Sequence, residues 1–166
     1  MIKANSFVLI TLFASLVFSS CESFESRNLN ASVQVTGEVI ANPITYEVLI
    51  NNPNIEDEWR TECLENTNVK VMSEDIINAV MSGKLKAYDY FDKNLLSTDE
   101  VKVILKQNGQ KGKIGNIQFI EEWYWNKKEL QLQKKVKSLM FGYEIYDENN
   151  KVRGYRASFV VNLDEN

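Results

Sequence analysis

The last third of the chain alternates apolar and polar residues, which is the pattern of half-buried β-strands. One strand is predicted over residues 117–125, a second begins after a turn at 126–129, and a third closes the chain. Within the second run the apolar phase moves to odd positions at Ser138, which predicts a β-bulge or a corner. The odd apolar positions are Ile117, Phe119, Trp123, Trp125, Leu139, Phe141, Tyr143, Ile145, Tyr155, Ala157, Phe159, Val161 and Leu163.

The last two strands are expected to form a hairpin whose register follows from these odd positions. Directly opposed residues share a face of the sheet, so each odd position should oppose another odd position. A three-residue loop over 148–150 satisfies this rule, and it places Asn150 in the left-handed region that Asn tolerates. A five-residue loop keeps the same parity. The predicted pairs are Leu139 with Phe159, Phe141 with Ala157, Tyr143 with Tyr155, and Ile145 with Arg153.

The first half of the chain predicts two short strands followed by helices. Residues 33–39 and 44–50 have strand patterns, and Pro43 and Pro53 bracket the second one as breakers. From Ile55 onward, apolar residues recur at the spacing of a helical turn after an acidic start. A further helix is expected from 73–75 to Gly83, followed by an extended segment over 84–91. Its apolar face comprises Ile76, Ile77, Val80 and Met81.

The clearest local signal is a capping box at residues 97–100. Ser97 stands at the N-cap and Glu100 three residues later, and Leu96 and Val101 hold the positions of a hydrophobic staple. The helix is expected to end near 108–109. Together with the C-terminal hairpins, these helices predict an α+β fold: an antiparallel sheet with long C-terminal hairpins, packed with two to three helices.

The composition excludes several classes of chemistry. The 166 residues include no histidine, which removes histidine-based triads and the commonest zinc sites. The net charge of −4 provides no basic surface for nucleic acid. The glycine-containing segment 109–115 lacks the spacing of a phosphate loop and is expected to be a surface loop. Glu121 and Glu122 are adjacent on a strand, so they should point to opposite faces and cannot act as a pair.

The N-terminus has the plan of a secretory signal over residues 1–20. Lys3 precedes an apolar run over 7–18, and two serines then precede Cys21, which resembles a bacterial lipobox. We therefore expect cleavage before Cys21 and acylation of that residue; the alternative is an ordinary signal peptide with an incidental cysteine. Glu22 follows in place of an aspartate retention signal, so outer-membrane sorting is expected. Residues 21–32 are polar and predict a flexible tether, and 33–166 a single domain.

Two aromatic or reactive features have competing interpretations. Cys63 is expected to be a half-buried helix residue rather than a nucleophile, because the chain has no histidine to activate it. Trp123 and Trp125 share a strand phase with Phe119, which favours core packing over ligand stacking. Tyr124 has the opposite phase and is a candidate contact residue.

The order of several segments resembles the N component of the gliding-motility and type IX secretion machinery of Bacteroidota, the GldN/PorN family. The resemblance spans about residues 46–163. The usual member is periplasmic with a separate lipoprotein partner, so the lipobox here implies a lipoprotein-type paralogue. The family has no known catalytic site. The matching segments are 55–60, 82–89, 95–101, 120–128, 141–143, 154–156 and 159–161.

These observations favour a non-enzymatic, lipid-anchored outer-membrane protein. We expect it to face the periplasm and to bind an envelope protein or a second copy of itself. The alternative is an outer-membrane lipoprotein that binds a glycan or peptidoglycan. Exposed aromatics at Tyr88, Tyr90 and Tyr124 are the candidate contact residues in either case. No catalytic residue, metal ligand or cofactor is predicted.

Overall fold

Five antiparallel strands and three helices form the part of the chain that the computed structural model describes, residues 35–109 and 113–164. The sheet has the strand order β1-β3-β4-β5-β2, which confirms the predicted α+β class. The predicted signal peptide, Cys21 and the tether lie outside the described residues. In chain order the elements are β1 Glu38–Leu49, α1 Glu58–Leu64, α2 Lys70–Met81, β2 Ala87–Asp89, α3 Thr98–Gly109, β3 Ile114–Asn126, β4 Gln131–Tyr146 and β5 Val152–Asn162.

The hydrophobic core lies between α2, α3 and one face of the sheet. Val80 of α2 and Val101 of α3 are 3% and 0% exposed, and they belong to one cluster with the strand residues. The opposite face of the sheet, called the back face below, carries neither of these two helices. The buried strand residues of the core are Ile117, Leu139, Phe141, Tyr143, Phe159 and Val161.

The first strand differs from its prediction. β1 is one strand from Glu38 to Leu49, and it passes through Pro43 rather than stopping there. Its pairing with β3 shifts register between Val39 and Ala41 and again between Ala41 and Ile44. Proline is tolerated because β1 is an edge strand and the proline falls within such an irregularity.

Helix boundaries follow the predicted caps where a cap is present. Ser97 N–H donates to Glu100 Oε2 at 2.8 Å, and Glu100 N–H donates to Ser97 Oγ at 3.3 Å, so the capping box is confirmed. Gly83 has a φ of 75° after α2, as its cap position requires. α2 begins at Lys70, however, because Ser73 lies in its first turn and donates to Lys70 O instead of capping.

The bulge predicted at Ser138 is confirmed. Ile120 opposes Ser138 but Glu121 opposes Val136, so β4 contains one extra residue between them. This extra residue keeps Leu132 and Val136 on the same face as the odd apolar positions further along β4. Glu121 and Glu122 form contacts with different side chains, Trp123 and Tyr124 respectively, as their opposite faces require.

The predicted register of the last hairpin is wrong beyond its turn. The loop itself is as expected, since Asp147 N–H donates to Lys151 O at 2.8 Å and Asn150 has a φ of 59°. Two register shifts follow, and they set Tyr143 opposite Arg156 and Leu139 opposite Val161. Each shift adds a residue to β5. After both shifts, odd positions of β4 again oppose odd positions of β5, as in the pair Leu139 and Val161. Between the two shifts, Tyr155 opposes the even position Glu144, so Tyr155 faces the back face.

The segment 109–115 is only partly a loop. Residues 110–112 lie outside the described residues, whereas β3 already begins at Ile114 and Gly115 is buried within it. Gly115 is required there because a Cβ would lie 2.4 Å from Tyr155 Cε1.

Candidate functional site

The three tyrosines proposed as contact residues lie toward the back face of the sheet, but at two separate places. Tyr88 opposes Val160, Tyr90 reaches Gln118, and Tyr124 has the same even phase on β3 as Gln118. Tyr124 lies six residues along β3 from Gln118, about 20 Å away at the usual rise of a strand. The structure therefore groups Tyr88 and Tyr90 and leaves Tyr124 apart.

Tyr124 is engaged by its own strand. Its hydroxyl donates to Glu122 Oε2 at 2.6 Å, and this bond raises the pKa of Tyr124. The same bond lowers the pKa of Glu122, whose other oxygen lies 3.5 Å from Lys137 Nζ. Lys137 also pairs with Asp164. Tyr124 is half-buried within a surface ion-pair network.

A polar network extends from Tyr90 across β3 to β1. Gln118 Nε2 donates to Tyr90 Oη at 3.4 Å and to Glu47 Oε1 at 3.2 Å. Asn116 Nδ2 donates to the other oxygen of Glu47, Oε2, at 3.1 Å. Two neutral amides thus hold the Glu47 carboxylate in one orientation. Asn116 itself is only 2% exposed.

Two glycines leave room for side chains of this region, Gly115 for the Tyr155 ring and Gly142 for the Asn116 amide. A Cβ on Gly115 would lie 2.4 Å from the Tyr155 ring, and one on Gly142 would lie 1.8 Å from Asn116 Oδ1. Burial raises the pKa of Tyr155, the nearby carboxylate of Glu144 raises it further, and Arg60 of α1 opposes the increase. Among the described residues, Asn116 Oδ1 and Tyr155 Oη are buried atoms without a hydrogen-bond partner.

These side chains line a cavity of about 450 Å³ between the turn at Tyr90 and the strands of the back face. A larger cavity of about 670 Å³ borders the end of α3, next to the undescribed residues 110–112. The smaller cavity is therefore the better-defined site. Its lining comprises Glu47, Tyr90, Phe91, Asn116, Met140, Gly142, Ile145, Tyr155, Arg156 and Ala157.

A second polar cluster lies on the face that carries α2 and α3, beyond the core. Glu121 is 4% exposed, and its Oε2 accepts from Trp123 Nε1 at 2.8 Å. Lys134 Nζ lies 4.4 Å from the Trp123 ring centroid, 5.4 Å from that of Tyr46 and 3.9 Å from Glu121 Oε2. Burial, and then the hydrogen bond with Glu121, raise the pKa of Tyr46 to about 12. Lys134 of the same chain therefore pairs with the Glu121 carboxylate and lies over both aromatic rings.

The predictions for Trp123, Trp125 and Cys63 are wrong. Both tryptophans are half-buried and lie outside the core cluster, which on β3 reaches only as far as Phe119. Cys63 is exposed, since α1 has no buried residue.

Two large apolar side chains are exposed at the start of α1, Trp59 within the helix and Ile55 just before it. Ile55 and Trp59 are 89% and 72% exposed, although their helical spacing predicts a buried face. They stand on an ordered segment: Asn52 Nδ2 donates to Asp57 O at 2.9 Å and to Thr61 Oγ1 at 2.8 Å. Asp57 in turn caps the helix by accepting from Arg60 N–H at 3.0 Å. The two exposed side chains are thus presented on a fixed backbone.

The sequence pattern does not mark Glu47, Asn116, Gln118 or Tyr155 as site residues. Their grouping depends on strand order and on the two register shifts of β5, which the chain pattern does not specify. The available signal was Gly142 within an apolar strand, since glycine inside a strand marks a close approach of other atoms.

Comparison with known proteins gives no assignment. No protein-family model matches the chain, and no curated protein is significantly similar to it. Within residues 35–109 and 113–164, no helix is long and apolar enough to cross a bilayer. Nor does any group of three or more Cys, Asp or Glu side chains in these ranges form a potential metal site.

Proposed function

We propose that this protein is a non-enzymatic lipoprotein, anchored through Cys21 at the outer membrane, that binds another envelope protein. The observation that carries the proposal is the pair of exposed apolar side chains at the start of α1, Ile55 and Trp59. Large apolar side chains on a rigid surface segment are typical of protein interfaces. Ile55 and Trp59 are such side chains, and the hydrogen bonds of Asn52 and Asp57 fix their backbone before any partner binds.

The sequence supports the location and the type of partner. The lipobox-like residues before Cys21 favour the anchor, and the resemblance to the GldN/PorN family favours an assembly role in gliding motility or type IX secretion. The first segment of that resemblance, residues 55–60, contains both Ile55 and Trp59 and overlaps the first turn of α1. We therefore place the contact surface at Ile55 and Trp59 rather than at Tyr124, whose hydroxyl is already bonded to Glu122.

Site-specific photocross-linking in the native cell tests the proposal. A benzophenone amino acid replaces Trp59, and a matched control replaces Val103 of α3, which is also apolar and 54% exposed. We expect a discrete cross-linked product at position 59 that mass spectrometry identifies as an envelope component, with none at position 103. Equal products at both positions, or no product at position 59, would contradict the proposed surface.

A Trp59→Ala variant provides the second readout. Because Trp59 is 72% exposed, its removal should leave the thermal unfolding midpoint unchanged while co-purification of the cross-linked partner is lost. Retained co-purification would show that α1 is not the contact.

A further inference from the structure

The chain enters the described domain at one end of the sheet. Thr36 N–H donates to Gln133 Oε1 at 2.8 Å, and Asn126 Nδ2 donates to Thr36 Oγ1 at 3.2 Å. Gly37 then packs so closely on β3 that a Cβ would lie 2.6 Å from Trp125 O. The turn between β4 and β5 is at the other end of β4, about 50 Å away at the usual rise of a strand. The end at which the chain enters, called the hairpin end below, comprises residues 36–40 and 123–135.

The hairpin end is the part of the domain that is joined most directly to the anchor. Residues 22–35 link Cys21 to Thr36, and a segment of this length spans at most about 50 Å. This step rests on the proposed acylation of Cys21. With that anchor, the tether brings the hairpin end to the bilayer rather than the far turn of the sheet.

Exposed apolar side chains are concentrated at the hairpin end. Leu130 and Leu132 are 75% and 44% exposed, and Val39 and Ile40 of β1 are 51% and 55% exposed. Val39 opposes Tyr124 across the β1–β3 pair, so the two strands bring these side chains to the same end. Together they give this end an apolar surface that nothing within the described residues covers.

The turn presents Leu130 in an unusual way. Leu130 has a φ of 53°, in the left-handed region that disfavours leucine and suits glycine or asparagine. The turn is nevertheless ordered, because Asn126 Oδ1 accepts from the backbone N–H groups of Lys128 and Glu129 at 3.0 and 3.2 Å. An apolar side chain is thus held outward at the tip, at a position where a polar residue would fit the backbone better.

The hairpin end also differs from the rest of the chain in charge. Residues 123–135 contain four lysines and one acid, whereas the whole chain has a net charge of −4. Lys127 pairs with Glu38 at 2.8 Å, which leaves the tip acid Glu129 outnumbered by the remaining lysines. Lysines beside an apolar surface are attracted to anionic lipid headgroups.

We propose that the hairpin end contacts the surface of a bilayer that contains anionic lipids. Leu130 and Leu132 enter the boundary between headgroups and acyl chains, and the lysines of residues 127–135 lie at the level of the lipid phosphates. Trp123 and Trp125 are half-buried beside them, and tryptophan is a residue typical of the membrane–water interface. The inference goes beyond the proposed function, which concerns a protein contact at Ile55 and Trp59.

Quenching of tryptophan fluorescence by brominated lipids tests the proposal. The chain has three tryptophans, so a Trp59→Phe variant retains only Trp123 and Trp125, which both belong to the hairpin end. The full-length chain, processed in the cell, is reconstituted into vesicles of brominated phosphatidylcholine with or without phosphatidylglycerol. We expect the anionic vesicles to quench the emission of Trp59→Phe by about half or more, and the neutral vesicles to quench it less. The additional emission of the wild type comes from Trp59 and should remain unquenched.

Two variants in the Trp59→Phe background locate the contact. Leu130→Asn removes the apolar side chain and suits the left-handed backbone, and Lys128→Gln removes one exposed cation, so both should unfold at the temperature of their parent or above it. Each should lower the quenched fraction in anionic vesicles by about twofold or more. The matched controls are Val103→Ala on α3 and Lys151→Gln at the far turn, and both should be quenched as their parent is.

The outcomes separate this inference from the proposed function. Unquenched emission from Trp123 and Trp125, equal quenching in neutral and anionic vesicles, or quenching that neither variant reduces would overturn the membrane contact. Absence of palmitate on Cys21 would instead refute the anchor, and absence of cross-linking at position 59 would refute the protein contact.

Discussion

Gly142 lets two strands and two side chains approach closely on the back face, and its replacement by alanine tests that arrangement. The added Cβ would lie 1.8 Å from Asn116 Oδ1 and 3.3 Å from Tyr155 Cβ. The first distance is far below any van der Waals contact, so the Asn116 side chain must move. Its movement breaks the 3.1 Å hydrogen bond to Glu47.

The expected cost combines two contributions. Forcing an extra methyl group into a packed site costs about 1–3 kcal/mol. Loss of the hydrogen bond between Asn116 and Glu47 adds about 1 kcal/mol. We therefore expect Gly142→Ala to lower the free energy of unfolding by about 2–4 kcal/mol, which corresponds to a fall on the order of 10 °C in melting temperature.

Gly154 of β5 provides the matched control. A Cβ there meets no atom within 4 Å, and Gly154 is not among the glycines with a positive φ. Gly154→Ala should therefore be neutral or stabilise the fold by up to about 1 kcal/mol, because alanine restricts the unfolded chain. Thermal and urea unfolding of both variants, followed by circular dichroism, measures the difference.

A double-mutant cycle identifies the contact responsible. In an Asn116→Ala background the clash with Oδ1 no longer exists, so Gly142→Ala should cost at least about 1 kcal/mol less than in the wild-type chain. Equal stability of Gly142→Ala and Gly154→Ala would refute the close approach. An unchanged cost in the Asn116→Ala background would refute its assignment to Asn116.

Three further predictions concern separate parts of the chain. Ser97→Ala removes the N-cap of α3 and should cost about 1 kcal/mol in urea unfolding. Hydrogen bonds from Ser97 hold the pKa of Glu100 below its ordinary 4.5. Their contribution to stability is therefore present above pH 4.5 and is lost as the pH falls through the lowered pKa. NMR titration of the variant should show that the Glu100 pKa rises. Tyr46 should titrate at about 12, and the stability of the fold should decrease as the pH rises from about 10 to 12, because tyrosine ionises first in the unfolded chain. Glu121→Gln should lower the pKa of Tyr46, and an unchanged pKa would contradict the contact between the two side chains. Cys21→Ala should abolish palmitate labelling and membrane association, and equal labelling would exclude acylation at this residue.

Local signals in the sequence were reliable where a few neighbouring residues determine the structure. Ser97 and Glu100 cap α3 through bonds that span three residues, and Gly83 ends α2 with a positive φ. The three-residue turn before Lys151 likewise needs only Asn150 in the left-handed region. Such features depend on side chain to backbone bonds within one turn, so they can be read directly from the sequence.

The candidate site could not be predicted in the same way. Its lining residues come from β1, β3, β4 and β5 and from the turn after β2, most of which are far apart in the chain. A single added residue in β5 changes the face on which Tyr155 lies, and the apolar positions of β5, unlike those of β4 at Ser138, show no change of phase that would locate it. The exposure of Trp59 is similar: helical spacing shows an apolar face, but not whether anything covers it.

The sequence by itself determined the class of fold, the caps of α3, the bulge at Ser138 and the absence of histidine chemistry, because each depends on residue type and short spacing. Only the tertiary structure decided the strand order, the register of β5 and the close packing of Gly142 against Asn116. These features depend on contacts between distant segments. The chain adopts the strand order and register that leave the fewest steric clashes and unpaired polar atoms. Because this choice compares packings of the whole domain, no single segment of the sequence determines it.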